Sequence, residues 1–181
     1  MTEENSPEEK EDQHDIIYAV RTAQQHQVQL SLMADQKANI LIGFSLIFFS
    51  IIQASLFKEE IAQKVYFIPL LVLSFMFCLS FFMAVLVLLP RTRIPSIEKP
   101  EDMPNPLFFG FFSLFSQKQY VDYMTKTLVN NESARELLIK DIYQIGVVLK
   151  KKYRMLKYSY TFVAVGVILS IAILAIQLLT R

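Results

Sequence analysis

Three stretches of the chain are apolar on every face and long enough to cross a lipid bilayer. They are residues 39–57, 66–89 and 158–179, and none of them contains Asp, Glu, Lys or Arg. A transmembrane helix needs about 20 consecutive apolar residues. A buried helix of a soluble protein rarely stays free of charge over such a length. The pattern therefore predicts three transmembrane helices.

The polar segments before the first and last spans predict long helical extensions. One seam has positions alternately four and three apart, as in packed helices; its members are Ile16, Val20, Ala23, Gln27, Leu30, Ala34 and Lys37. A second seam has the same spacing; its members are Leu138, Ile142, Ile145, Leu149, Lys152 and Leu156. We expect a cytoplasmic helix over residues 14–38 and a long helix leading into the last span. The polar Gln27 indicates a buried amide or a packing gap.

The remaining polar parts are less regular. Residues 1–13 are acidic and poor in large apolar side chains, so we expect a disordered tail. Within the insert 90–157, four prolines indicate a loop before a Phe-rich segment, 105–116, which is too short to span and fits the membrane interface. A short helix over 118–129 follows. Asn131, or Ser133 with Glu136 as a capping box, is expected to begin the long helix.

Taken together, these elements predict an all-α protein. Its fold class is three transmembrane helices with long cytoplasmic helical extensions that form a small helical bundle. Twelve Lys and Arg residues lie in the insert, three lie in residues 1–38, two lie in 58–65 and one follows the last span. Cytoplasmic segments carry the excess of basic residues. We therefore expect the N-terminus and the insert inside and the C-terminus outside.

No motif of a known enzyme class, such as a Walker A loop or a zinc-binding H-E-x-x-H, is present in the sequence. The single Cys78 and the two histidines, His14 and His26, do not form a metal-ligand cluster. The spans also lack the buried acids and bases of transporters. We expect a protein that is not an enzyme, without cofactor or metal, and without a nucleic-acid partner.

Charges at the membrane boundary have two interpretations. The basic run 149–157 either anchors the helix against anionic lipid or captures an anionic ligand. Asp35 precedes the first span, and we expect it to pair with Arg154 or Lys157 at the foot of the last span. That pair is either a structural lock or a gate that opens when a ligand rearranges the bundle.

Three short motifs resemble those of the membrane effectors of the Pycsar bacterial anti-phage system. MADQKANILIGF carries an A-D-x-K-A pattern at Ala34, Asp35, Lys37 and Ala38. NPLFFGFFSLFS, residues 105–116, is similar to the family's N-P-x-x-F-G segment. KDIYQIGVVLKKKYRMLKYSY, residues 140–160, is similar to its acidic-then-basic helix before the last span. The resemblance covers most of residues 15–180.

The resemblance implies a function in the bacterial inner membrane. A partner pyrimidine nucleotide cyclase makes cyclic CMP or cyclic UMP on infection, and the effector responds by impairing the membrane. The infected cell then stops growing or dies before the phage matures, an outcome called abortive infection. We expect this chain to bind the cyclic pyrimidine nucleotide, through cations for the phosphate and tyrosines for the base, and to form a homo-oligomer. The candidate ligand-binding residues are Lys37, Lys140, Tyr143, Lys150, Lys151, Tyr153 and Arg154.

Two other classes of function stay open. The chain is alternatively a membrane anchor or scaffold, in which the cytoplasmic helices bind another protein. It is alternatively a constitutive pore-forming subunit, which would need several copies because the spans have no polar stripe.

Overall fold

The computed structural model describes residues 7–56, 66–89 and 96–180, with side chains over 15–54, 66–89 and 96–180. Every regular element in these residues is helical, which confirms the predicted all-α fold. The elements are α1 (Pro7–Leu56), α2 (Phe67–Leu88), a 3₁₀ turn (Pro100–Asp102), α3 (Phe109–Phe112), α4 (Gln117–Thr127) and α5 (Asn131–Leu179). Three of them, α1, α2 and α5, are long and apolar enough to cross a membrane.

Helix α5 begins at Asn131, one of the two expected positions, whereas α1 begins earlier than expected. Helix α1 begins at Pro7, so residues 7–13 are helical rather than disordered, and residues 1–6 lie outside the described part. Proline fits the first helical position, and the glutamates that follow favour a helix N-terminus. Helix α5 is capped by Asn130, whose Oδ1 accepts from the backbone N–H of Ser133 at 2.8 Å. Glu136 pairs with Lys140 instead of completing a capping box.

The chain divides into two compact units. We call Met1–Leu30 with Pro90–Leu149 the insert unit, and Ser31–Leu89 with Lys150–Arg181 the span unit. Each unit contains a part of α1 and a part of α5.

In the insert unit, α1 and α5 run parallel. Gln24 hydrogen-bonds Asp141, and Gln27 lies beside Gly146, so residue numbers rise together along both helices. The Gln27 Oε1 atom is buried without a hydrogen-bond partner in the described part of the chain, which agrees with a buried amide, the first of the two expected possibilities. A Cβ atom added at Gly146 would lie 3.7 Å from this oxygen, which is an ordinary van der Waals distance.

The loop and short helices of the insert unit are tied together by polar contacts. The Tyr120 hydroxyl on α4 donates to the Pro106 carbonyl at 3.1 Å. Its ring packs against Phe112 with centroids 5.1 Å apart. Phe109 is 69% exposed, so the Phe-rich segment presents apolar surface. Its location at a membrane interface stays a prediction.

In the span unit, α2 runs antiparallel to α1 and α5. Its core is small and apolar; the cluster consists of Ala38, Leu41, Ala84, Val87 and Leu156. Phe77 of α2 stacks on Phe48 of α1 with ring centroids 4.1 Å apart. Small interfacial residues and good packing drive helix association in lipid, where no hydrophobic force acts between helices. This core therefore holds the spans together through close contact.

The α1 seam is partly different from the expected one. Val20, Gln27 and Ala34 are shielded as expected, whereas Ile16 is 44% exposed and Lys37 is exposed. Three expected positions, Ile16, Ala23 and Lys37, are replaced by the residue that follows each of them; these are Ile17, Gln24 and Ala38. Leu30 is half-buried as expected, and so is its neighbour Ser31. Polar Gln24 and Ser31 can face inward because each has a polar partner on α5. The α5 seam is confirmed, with Leu156 its most buried member.

Candidate functional site

A charged cluster joins α1 to α5 in the span unit. The Lys152 ammonium donates to both carboxylate oxygens of Asp35 at 2.8 Å and to the Ser31 hydroxyl at 3.0 Å. The side chains of Lys152 and Asp35 are 20% and 30% exposed. A lysine ammonium has three donors, and all three are used here.

The expected partners of Asp35 are therefore wrong, since Lys152 replaces Arg154 and Lys157. Lys152 belongs to the α5 seam that faces α1. Arg154 lies about 200° further around the helix, at about 100° per residue, and it is exposed. Lys157 is also turned away from the seam and exposed.

A second polar cluster, which we call the Asp141 clamp, lies in the insert unit. The Asp141 carboxylate is 7% exposed and accepts from the side-chain amides of Asn105, at 2.7 Å, and Gln24. Asn105 is 1% exposed, and its own Oδ1 accepts from the backbone N–H of Leu107 at 2.9 Å. Buried carboxylates are costly unless they are hydrogen-bonded. The clamp thus fixes the loop before the Phe-rich segment to both long helices.

A groove of about 430 Å³ lies along the first turns of α5 in the insert unit. Its described lining residues are Glu132, Arg135, Glu136, Ile139 and Lys140. Two ion pairs hold this lining, Arg135 with Glu132 at 3.6 Å and Lys140 with Glu136 at 2.7 Å. The hydrogen bond from Lys140, and then its positive charge, lower the pKa of the Glu136 carboxyl. The groove therefore presents two cations and two carboxylates around one apolar side chain.

The expected ligand residues fall in both units. Lys140 lines the groove, and Tyr143, which is 73% exposed, follows Ile139 by one turn on the same helix face. The others belong to the span unit; they are Lys37, Lys150, Lys151, Tyr153 and Arg154. Of these, Tyr153 is half-buried and the four cations are exposed.

Sequence reasoning missed three kinds of residue at these sites. Arg135 was not among the candidate ligands, although it lies on the same helix as Lys140. Lys152 was placed in a seam but not in an ion pair. Asn105 and Asp141 belong to two of the three family motifs but were not singled out within them. Asp141 directly precedes Ile142 of the α5 seam, and a carboxylate buried beside a seam needs a hydrogen-bond partner.

The family comparison covers both units. The Pycsar effector protein domain matches residues 18–179, a range that contains the three spans, the Asp141 clamp, the groove and the Asp35–Lys152 pair. No curated protein and no solved structure matches the chain. The matched family consists of effectors and is not a known class of enzymes. The chain therefore belongs to the Pycsar effector family and is a membrane protein of Pycsar anti-phage defence.

Proposed function

We propose that this protein is the effector that converts a cyclic pyrimidine nucleotide signal into loss of inner-membrane integrity. The nucleotide, cyclic CMP or cyclic UMP, is made by the partner cyclase that the Pycsar system implies. Damage to the membrane stops growth of the infected cell before the phage matures. The observation that carries the proposal is the family match over residues 18–179. The N-terminus and the insert unit face the cytoplasm in this proposal.

The groove on α5 is our proposed nucleotide site. A volume of about 430 Å³ is in the range of small-molecule sites. A cyclic monophosphate carries one negative charge, and Arg135 and Lys140 supply charge-assisted hydrogen bonds to its oxygens. Tyr143 offers a ring on which the base stacks, because it is exposed on the same face as Ile139.

The carboxylates of the groove favour cytosine over uracil. The phosphate takes the place of Glu132 and Glu136 as partner of the two cations, which leaves carboxylate oxygens free to accept hydrogen bonds. Cytosine presents an N4 amino group that donates to a carboxylate. Uracil presents an acceptor at the same position. We therefore expect cyclic CMP to bind more tightly than cyclic UMP.

The cations of the span unit are the second candidate for the nucleotide. They are Lys37, Lys150, Lys151 and Arg154, beside which Tyr153 offers a ring. The groove is preferred because its lining combines cations, carboxylates and an apolar side chain within one helix face. Binding shifts the spans only by its differential affinity for two arrangements. A pore needs several copies, so we also propose a homo-oligomer.

Binding of nucleotides to the detergent-purified protein tests the proposal. A ligand that binds the folded state raises its thermal stability as its concentration exceeds Kd. We expect a shift with cyclic CMP, a smaller one with cyclic UMP and none with cyclic AMP or cyclic GMP. Arg135→Gln should weaken binding about tenfold or more, the loss expected when a charge-assisted hydrogen bond is removed.

The matched control is Lys118→Gln, which removes an exposed cation from α4, away from the groove lining. It should bind as the wild type does. A folded protein that responds to none of the four nucleotides would contradict direct sensing and favour the anchor function. If Lys150→Gln weakened nucleotide binding about tenfold and Arg135→Gln left binding unchanged, the nucleotide site would lie in the span unit.

A further inference from the structure

The span unit carries a band of exposed cations, which we call the cationic band. Its members are Lys37, Lys150, Lys151, Arg154 and Lys157. None of them forms an ion pair with another residue in the part of the chain that the structure describes. We propose that the cationic band binds the headgroups of anionic phospholipids.

Charge balance within the span unit supports this assignment. Asp35 is the acid closest in sequence to Lys37, and its two carboxylate oxygens both accept from Lys152. The positive charge of the inward-facing Lys152 is thus balanced by Asp35, whereas no acid in the described part of the chain pairs with the outward-facing cations. An uncompensated positive surface of this kind attracts an anionic partner.

The depth of the cationic band identifies the partner as lipid. Ser80 of α2 and Ser159 of α5 hydrogen-bond each other at 2.9 Å and are completely buried, which places them at the same level. The helices are antiparallel, and α2 ends at Leu88. Leu88 follows Ser80 by as many positions as Lys151 precedes Ser159, so Leu88 and Lys151 lie at the same level. The apolar helix therefore ends at the level of the band, where a span meets the headgroup region.

Neighbouring exposed side chains agree with this depth. Tyr158 and Tyr160 are 46% and 45% exposed immediately after the band, and tyrosines are enriched at membrane interfaces. Leu86 and Leu89 of α2 are 49% and 55% exposed and require an apolar environment. Long cationic side chains beside such residues extend their charged ends towards the headgroups.

Each cation near an anionic surface contributes about 1 kcal/mol, which corresponds to about fivefold in affinity. Removing three members should therefore lower the preference for anionic over zwitterionic lipid by more than tenfold. Salt screens exposed charges, with a Debye length of about 30 Å at 0.01 M and about 3 Å at 1 M. The preference should accordingly fall as salt is raised.

Competitive lipid retention tests this inference. The full-length protein in mild detergent is equilibrated with equimolar phosphatidylglycerol and phosphatidylcholine of identical acyl chains. The lipids that copurify are then quantified by mass spectrometry, at low and at high salt. The variant is the triple substitution Lys150→Gln, Lys151→Gln and Arg154→Gln.

The matched control removes the same number of exposed cations from the insert unit; it is Lys99→Gln, Lys118→Gln and Lys126→Gln. We expect the wild type and the control to retain phosphatidylglycerol preferentially at low salt, and the band variant to lose this preference. The inference would be overturned if the band variant retained phosphatidylglycerol as preferentially as the wild type does. It would also be overturned if the control lost this preference to the same extent as the band variant.

Two further outcomes keep the test decisive. If the band variant does not fold, the wild type alone decides, because a preference for phosphatidylglycerol that is independent of salt contradicts headgroup binding by exposed cations. If the folded variant keeps its lipid preference but loses the thermal response to cyclic CMP, the cations belong to the nucleotide site and the inference is wrong.

Discussion

Lys152 and Asp35 hold α1 and α5 in register within the span unit. Their side chains are 20% and 30% exposed, and the Ser31 hydroxyl completes the hydrogen bonds of the ammonium. A charge left unpaired in such a place is costly, because neither bulk water nor another acid replaces its partner. The pair therefore specifies one register of the helices more than it adds net stability.

We expect Lys152→Gln to lower the free energy of unfolding by about 2 kcal/mol, between the values for exposed and fully buried pairs. Chemical unfolding in mild detergent measures this difference. The control is Lys151→Gln, whose side chain is exposed and which should stay within about 0.5 kcal/mol of the wild type. Equal losses in the two variants would show that the Asp35 pair has no special role.

The sequence predicted Asp35 as the acid of this ion pair but not Lys152 as its cation. Asp35 lies next to the first span, so a partner at the foot of the last span was foreseeable. Lys152, Arg154 and Lys157 are close together in sequence, and only the face that α5 turns towards α1 distinguishes them. That face follows from the seam, in which Lys152 already had a place.

Helices α2 and α5 approach each other closely at Gly166. A Cβ atom added there would lie 2.6 Å from the Met76 Cβ. Two further contacts join the same helices, since Ser159 Oγ donates to the Ser80 carbonyl at 2.7 Å and Ser170 Oγ to the Pro69 carbonyl at 3.0 Å. Small residues permit such approach in lipid.

Gly166→Ala should therefore destabilise the protein by about 1–3 kcal/mol, because α2 and α5 must move apart. Gly43→Ala is the matched control on α1, since an added Cβ meets no atom within 4 Å there. Alanine is a better helix former than glycine by about 1 kcal/mol, so the control should be as stable as the wild type or more so. Thermal unfolding of both variants in one detergent compares them. Similar losses at both positions would contradict the close packing at Gly166.

The Asp141 clamp is the corresponding element in the insert unit. It fixes an irregular loop to two helices, and loops are usually the least stable parts of a fold. Asn105 serves both sides of the clamp, since it donates to Asp141 and accepts from the Leu107 N–H. Loss of this side chain removes one of the two amide donors to Asp141 and the side-chain acceptor of the Leu107 N–H.

We expect Asn105→Ala to speed hydrogen exchange of the segment 105–116 by about tenfold or more, which corresponds to a loss of about 1–3 kcal/mol in local stability. Asn131→Ala, at an exposed asparagine at the start of α5, is the control and should leave the segment unchanged. The clamp would be rejected if exchange in this segment were the same in the wild type and in Asn105→Ala.

Helix type followed from apolar periodicity, and so did the facing positions of α5, whereas the start of α1 and some of its facing positions did not. The α5 seam was foreseen because it is mostly apolar. The α1 seam was foreseen at Val20, Gln27, Leu30 and Ala34, and one of its errors arose where the polar Gln24 faces inward in place of Ala23. A polar residue in a seam can be recognised only when its partner on the other helix is known.

For the whole molecule, the order of elements already indicated a three-span membrane protein, and three short motifs indicated its family. The three long apolar helices and the family match confirm both statements, and the family match shows that the protein takes part in Pycsar defence. The groove was not foreseen, although its described lining lies on one helix, because Arg135 lies outside the motifs and the basic run from which the candidate ligands were taken. The sensed nucleotide and the damage to the membrane rest on our proposal.

We propose that this chain alone converts a cyclic pyrimidine nucleotide into membrane damage. Release of a trapped dye from proteoliposomes containing the purified protein measures this directly, with the nucleotide added on the side of the insert unit. We expect release with cyclic CMP, less with cyclic UMP and none with cyclic AMP or cyclic GMP. Release without any nucleotide would indicate a constitutive pore, and no release with any of them, from folded protein, would indicate an anchor. Either result would contradict membrane damage by this protein in response to a cyclic pyrimidine nucleotide.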